Sequence, residues 1–183
     1  IFDEAGELVG RAPRDEVHRR GYWHRAAHVW LFDADGRVLL QRRAPDKDIA
    51  AGCWDFSVGE HLKPGESFLD AARRGLSEEL GIEGVALEPL GPPRRFGYEL
   101  AEPPVRDYEE TRSFRGRFDG NPAMPDGEVD ALRWIGLEAL ERWLARAPAD
   151  FTPWFAADAA AAGLIASGGD GAPYATDIDS EGD

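Results

Sequence analysis

Glu78 and Glu79 stand side by side in the stretch "ARRGLSEELGI", with Arg74 four residues before Glu78 and Glu66 further upstream, after Gly65. On a helix, positions i, i+3 and i+4 share a face, and residues 75, 78 and 79 have that relation. Two adjacent carboxylates, with Glu66 at the start of the same helix, make a hard oxygen-donor set. Magnesium or manganese prefers such ligands, usually shared with substrate phosphates. The position that would complete the acidic face one turn earlier is Gly75. The same residues also read as a solvated helix face whose carboxylates pair with Arg74.

The elements that must carry these groups can be placed from the pattern. Ser67 can cap a helix running to about Leu80, with Gly81 as its stop. Leu69, Ala72, Leu76 and Leu80 give that helix an apolar stripe. Residues 1–10 read as a hairpin with its turn at "EAGE". "AAHVWLFDADGRVLLQRR" is a clearer hairpin, because Asp-Gly is a strong turn signal between two apolar runs. Residues 44–54 read as a loop and "FSV" as a short strand. Further strands are expected around 84–90, 95–100, 108–118 and 130–135. "GLEALERWLARA" and "WFAADAAAAGLIA" are expected helices. Many strands with few helices, in mixed order, predict an α/β (α+β) sandwich: a small mixed β-sheet with helices on both faces.

The chain of 183 residues fits one globular domain, expected over 1–166. Residues 167–183, "SGGDGAPYATDIDSEGD", hold five acids and no base and are expected to be a disordered tail. A net charge of −14 argues against nucleic-acid binding through a broad basic surface. A protein this acidic needs a local Arg and Lys cluster, or a bound cation, to hold an anionic substrate. No apolar run approaches the roughly 20 residues of a membrane span. The N-terminus is acidic, unlike a secretory leader, and Cys53 is the sole cysteine. Both fit a cytoplasmic protein without internal disulfides.

The segment from residue 60 to residue 82 resembles the Nudix box, Gx5Ex7REUxEExGU, where U is bulky and apolar. Glu66, Arg74, Leu76, Glu78, Glu79, Gly81 and Ile82 fall in register, while Glu60 stands at the opening Gly and Gly75 at the Glu of "RE". The resemblance covers roughly residues 1–160. It is closest to the branch with type 1 isopentenyl diphosphate isomerase and its hydrolase-like relatives, and it implies a Nudix-type α/β/α sandwich. In the isomerases the position of Gly75 is also not Glu, and three histidines and two acids hold the metal. The matching residues here are His18, His24, His61, Asp107 and Glu109, and Glu79 matches the ligand of a second cation. Arg43 and Lys47 match diphosphate contacts, and Tyr98 and Trp154 match two further substrate-site positions. His28 is expected to be structural. The isomerase's catalytic cysteine falls on Gly59.

The resemblance thus implies a Nudix hydrolase cleaving a diphosphate bond in a small organic or nucleoside diphosphate. Mg2+ or Mn2+ would sit at Glu66, Glu78 and Glu79, and a second divalent ion at the histidines. Glu109 is the expected general base, with Glu78 and Glu79 the other expected catalytic carboxylates. The alternatives are an isomerase-like enzyme, which Gly59→Cys should create or enhance, and a non-catalytic diphosphate-binding module. Two carboxylates in place of three predict slow hydrolysis, and Gly75→Glu is expected to raise it. The sequence leaves the oligomeric state undetermined.

Overall fold

β1 (Trp23–Phe32) is the strand around which the sheet is ordered, and its near-continuous apolar run "AAHVWLF" suits a strand covered on both sides. A computed structural model describes residues 1–101, 104–124 and 127–166. β2 (Val38–Arg43) follows β1 after the Asp33–Gly36 turn. β4 (Val58–His61) runs antiparallel to β1 across residues 26–29. On the other edge, β7 (Val105–Arg117) lies parallel to β1 over its whole length, from Trp23↔Tyr108 to Phe32↔Arg117. β3 (Trp54–Asp55) and β8 (Val129–Ile135) pair with β2, and β5 (Leu87–Pro89) and β6 (Arg94–Leu100) pair with β7. The sheet is therefore mixed, as expected.

Its two faces bury different helices. Ala27, Val29 and Leu31 of β1 pack with Ala71, Ala72, Leu76 and Leu80 of α2 (Phe68–Leu80). Trp30, Val38 and Leu40 point the other way, onto Leu140 of α3 (Leu137–Arg146) and Phe155 of α4 (Phe155–Ala161). The period-two alternation along β1 sorts these side chains to opposite faces. Ser67 caps α2 by accepting the Asp70 amide, and Gly81 ends it at φ 62°.

Two readings are corrected and one element is added. The strand placed on "FSV" is two short strands, β3 and β4, interrupted at Phe56 and Ser57. The last helix stops at Ala161 and does not reach residue 166. A helix α1 (Arg14–Arg20) precedes β1; seven residues are too few for a periodic signal. Its acidic first turn and the left-handed Gly21 after it were the available cues. The expected acidic tail, 167–183, lies outside the described residues.

Candidate metal centre and diphosphate cavity

Strand register brings the first cluster together. The parallel pairing sets His24 of β1 beside Glu109 of β7, and the antiparallel pairing sets Ala26 beside His61 of β4. Asp107 is two residues before Glu109 and so shares its face of the strand. His18 arrives from α1. The result is His24 Nε2 at 3.2 Å from Asp107 Oδ1 and 3.4 Å from Glu109 Oε1. His61 Nε2 is 3.0 Å from Glu109 Oε1, and His18 Nε2 is 3.7 Å from Asp107 Oδ1. The three imidazole centroids are 4.7 to 5.3 Å apart.

This arrangement fits a divalent cation. His18, His24 and His61 can each turn one ring nitrogen within 4.8 Å of the others, and His24, Asp107 and Glu109 form a second such group. Among the described residues, His18 Nε2, His24 Nε2 and Asp107 Oδ1 are buried without a hydrogen-bond partner, and buried polar atoms are rarely left so. His24 Nδ1 lies 3.1 Å from the Tyr22 carbonyl. That contact takes up Nδ1–H and turns Nε2 toward Asp107 and Glu109, where a metal could bind it in place of its proton. Tyr98 donates its hydroxyl to Asp107 at 2.7 Å. Imidazole mixed with carboxylate suits zinc, manganese or iron.

The charge states show what a divalent ion would have to displace. Burial, opposed by Asp107 and assisted by His61 and His24, pulls His18 down to about 4. Burial also lowers His24, but the Asp107 and Glu109 carboxylates beside it outweigh this and lift the ring to about 10, so a divalent ion bound there would take the place of the Nε2 proton. Burial would raise Glu109, yet His24, His28 and His61 hold its carboxyl well below the usual range. Glu109 is therefore an ion at neutral pH, able to hold a cation or accept a proton.

A cavity of about 400 Å³ opens beside the cluster, lined in part by His61, Asp107 and Glu109. Arg43, Lys47, Tyr98 and Trp154 line it too. Arg43 donates Nε to the Ile49 carbonyl and lies over the Trp154 ring, and Lys47 pairs with Glu128. The Tyr98 and Trp154 rings are 5.2 Å apart. Glu78 and Glu79 reach the same cavity from α2. Glu79 is buried and accepts from Gln41 Nε2 at 3.2 Å, whereas Glu78 is about half exposed, at 51%.

Glu66 does not line the cavity. Arg74 takes both of its carboxylate oxygens, each at 2.8 Å, and the Lys63 amide adds a third bond. Arg74 also reaches Glu60 at 2.9 Å and Glu78 at 3.2 Å. Glu78 thus pairs with Arg74 on a half-solvated face, whereas Glu79 is buried beside Gln41.

Gly59 and Gly75 are filled from outside. A Cβ on Gly59 would lie 2.8 Å from Cε2 of Phe56. The ring of Phe56 stands against the position of the isomerase cysteine, so Gly59→Cys cannot simply install a thiol. A Cβ on Gly75 would meet Val58 Cγ1 at 2.6 Å. The expected gain from Gly75→Glu therefore faces a packing cost against Val58 and Glu60, whose Cβ lies 3.1 Å from the same point. Cys53 does not line the cavity.

Sequence reasoning set His28 aside as structural and passed over Asp55, and both line the cavity. His28 is buried and stacks on Phe56 at 4.3 Å, as a structural residue would. It also lies 3.7 Å from Glu109 and 3.3 Å from Asp158 of α4. Asp55 is buried and accepts from Thr152 and Trp154. Burial pushes its carboxyl up to about 6, although Arg43 opposes the shift. An acid in the otherwise apolar "CWDFSV" was the available signal.

Residues 22–155 match the NUDIX domain family. Over 157 residues the chain is 37% identical to an isopentenyl-diphosphate Delta-isomerase of Burkholderia multivorans, covering 85% of this chain and 86% of that protein. It is 40% identical over 157 residues to the Nocardia farcinica isopentenyl-diphosphate Delta-isomerase, covering 85% and 89%. An uncharacterized Nudix hydrolase of Clostridium acetobutylicum is 45% identical over 86 residues, covering 45% of this chain and 41% of that protein. A Deinococcus radiodurans crystal structure shares the fold at a TM-score of 0.63 and 24% identity, covering 82% of this chain and 88% of that one. Among the described residues no helix is long and apolar enough to cross a membrane.

Proposed function

The chain belongs to the Nudix family, and we propose that it is a divalent-metal-dependent hydrolase that cleaves the diphosphate bond of a small organic or nucleoside diphosphate. The observation that carries this reading is the pairing of Phe56 with Gly59. The site gathers histidines, acids and cations around a cavity, yet the position from which an isomerase would present its thiol holds an aromatic ring. Proton shuttling at carbon needs an acid there, whereas hydrolysis of a diphosphate does not.

His18, His24, His61, Asp107 and Glu109 would hold the divalent ion. When bound, it supplies charge neutralisation to phosphate oxygens and lowers the pKa of a water. Arg43 offers a planar fork and Lys47 a point charge to the diphosphate. Glu109, held as an anion, is placed to accept a proton from attacking water. Glu78 and Glu79 face the same space from α2 and would share a second, magnesium-type ion with the substrate phosphates. Tyr98 and Trp154 wall the end where the organic group would lie.

The isomerase reading is favoured by one observation, the 37–40% identity over most of the chain to the two isomerases. A screen over nucleoside and isoprenoid diphosphates with Mg2+ and with Mn2+ tests both readings. Release of orthophosphate together with the monophosphate supports hydrolysis of the diphosphate bond. Conversion of isopentenyl to dimethylallyl diphosphate without release overturns it. Binding without turnover would make the protein a diphosphate-binding module.

A further inference from the structure

The two departures from the box pattern are neighbours in space. Glu60 stands at the Gly position of the pattern and Gly75 at its Glu position. Residues 58 and 60 of β4 point together toward α2, because alternate strand residues share a face. A Cβ built on Gly75 would lie 3.1 Å from Glu60 Cβ and 3.5 Å from Glu60 Cγ. The stem of Glu60 occupies the volume into which a side chain at 75 would have to grow. Glu60 lines the cavity with Glu78 and Glu79, and its carboxylate reaches Arg74 Nη1 at 2.9 Å.

We propose that Glu60 and Gly75 are an exchanged pair, in which β4 presents beside the cavity the carboxylate that the box otherwise hangs on the helix. The acidic face then keeps three carboxylates, Glu60, Glu78 and Glu79, and Gly75 is required by the exchange. Two changes that each look like a defect in the sequence are one compensated change in the fold. Val58 shares the space above Gly75, so the pair is held from two sides. The inference rests on the proposed hydrolase reading for its role at the helix cation, and on geometry alone for the pairing itself.

A double-mutant cycle tests it, using the full chain with Glu60→Gly, Gly75→Glu and both together. Melting temperature and Mn2+ titration followed by electron paramagnetic resonance are read alongside hydrolysis. Residues in contact couple, whereas independent sites add. Gly75→Glu alone is expected to lower the melting temperature by several degrees, and adding Glu60→Gly to recover at least half of that loss. Val58, which stays in place, prevents full recovery. Glu60→Gly alone is expected to weaken one class of bound Mn2+ by about tenfold or more, and the double variant to regain most of it. Additive effects in both readouts overturn the exchange.

If Gly75→Glu fails to fold while the double variant folds, the exchange is supported. If neither folds, Glu60→Gln decides, because it keeps the packing and removes the charge. Unchanged Mn2+ binding in Glu60→Gln overturns the proposal, and a tenfold loss at unchanged melting temperature supports it. A wild type that hydrolyses nothing overturns the hydrolase reading, while melting and Mn2+ binding still judge the exchange.

Discussion

The histidine cluster and the box helix both face one cavity, but their carboxylates are held in opposite ways. Around the helix, Arg74 already satisfies Glu66 and reaches Glu60 and Glu78. In the cluster, Asp107 and Glu109 share their oxygens among three histidines, and three buried atoms find no hydrogen-bond partner. A saturated face needs nothing more to be stable. Buried atoms left without a hydrogen-bond partner are costly, and a cation bound among them would remove that cost. The difference teaches that the box motif, the loudest signal in the sequence, marks a scaffold built on an arginine. On the proposed reading, the quieter histidines mark the stronger cation site.

The sharpest way to break this contrast is to remove one member from each side. Glu109→Gln is expected to lower the hydrolysis rate by roughly 10²- to 10⁴-fold, the range for loss of a general base or its equivalent. Steady-state kinetics with Mn2+ on the purified variant checks this. A loss below tenfold would show that the cluster is not used.

pH separates both carboxylate sets from Asp55, which lies across the cavity. Glu109 and Glu66 are held as ions, Glu66 chiefly by its bonds from Arg74, whereas the folded state raises Asp55 to about 6. A carboxyl raised on folding contributes stability that is present below its unfolded pKa and lost as pH rises through the folded value. Asp55 should therefore remove about 3 kcal/mol between roughly pH 4 and pH 6, by linkage. Chemical denaturation of wild type and Asp55→Asn across that window reads the difference. The Asn variant should lack this fall, and parallel pH curves for the two proteins would contradict the assignment.

On the helix side, Gly75→Ala sharpens the comparison through packing alone. Helix propensity favours Ala by about 1 kcal/mol. The contact of 2.6 Å with the fully buried Val58 opposes it, and overpacking of this kind costs about 1–3 kcal/mol. A net loss of about 1 kcal/mol is expected in thermal melts, the balance of these two effects. A more stable variant would mean that Gly75 is only tolerated. The smallest effect belongs to Glu78→Gln, whose half-exposed carboxylate pairs with Arg74 and Lys63. Its stability should stay within about 0.5 kcal/mol of wild type by the same melts.

Much of this was legible in the sequence. The cap at Ser67, the stop at Gly81 and the stripe through Leu76 placed α2 almost to the residue, because helix ends and faces are local properties. The five cluster residues were legible only through resemblance, since they come from α1, β1, β4 and β7 and meet through strand register. Glu66 shows the limit of a motif: its position was right, but its oxygens go to Arg74. Gly59 and Gly75 read as losses because a sequence does not show what stands opposite a glycine. Phe56 and Glu60 fill those places, and both are contacts between elements.

The claim that the histidine cluster is the cation site is tested most directly by Mn2+ stoichiometry and affinity in three proteins: wild type, His24→Ala and Glu78→Gln. The account predicts a tight equivalent in wild type that is lost in His24→Ala and kept in Glu78→Gln. Tight binding that survives His24→Ala and disappears in Glu78→Gln would contradict it.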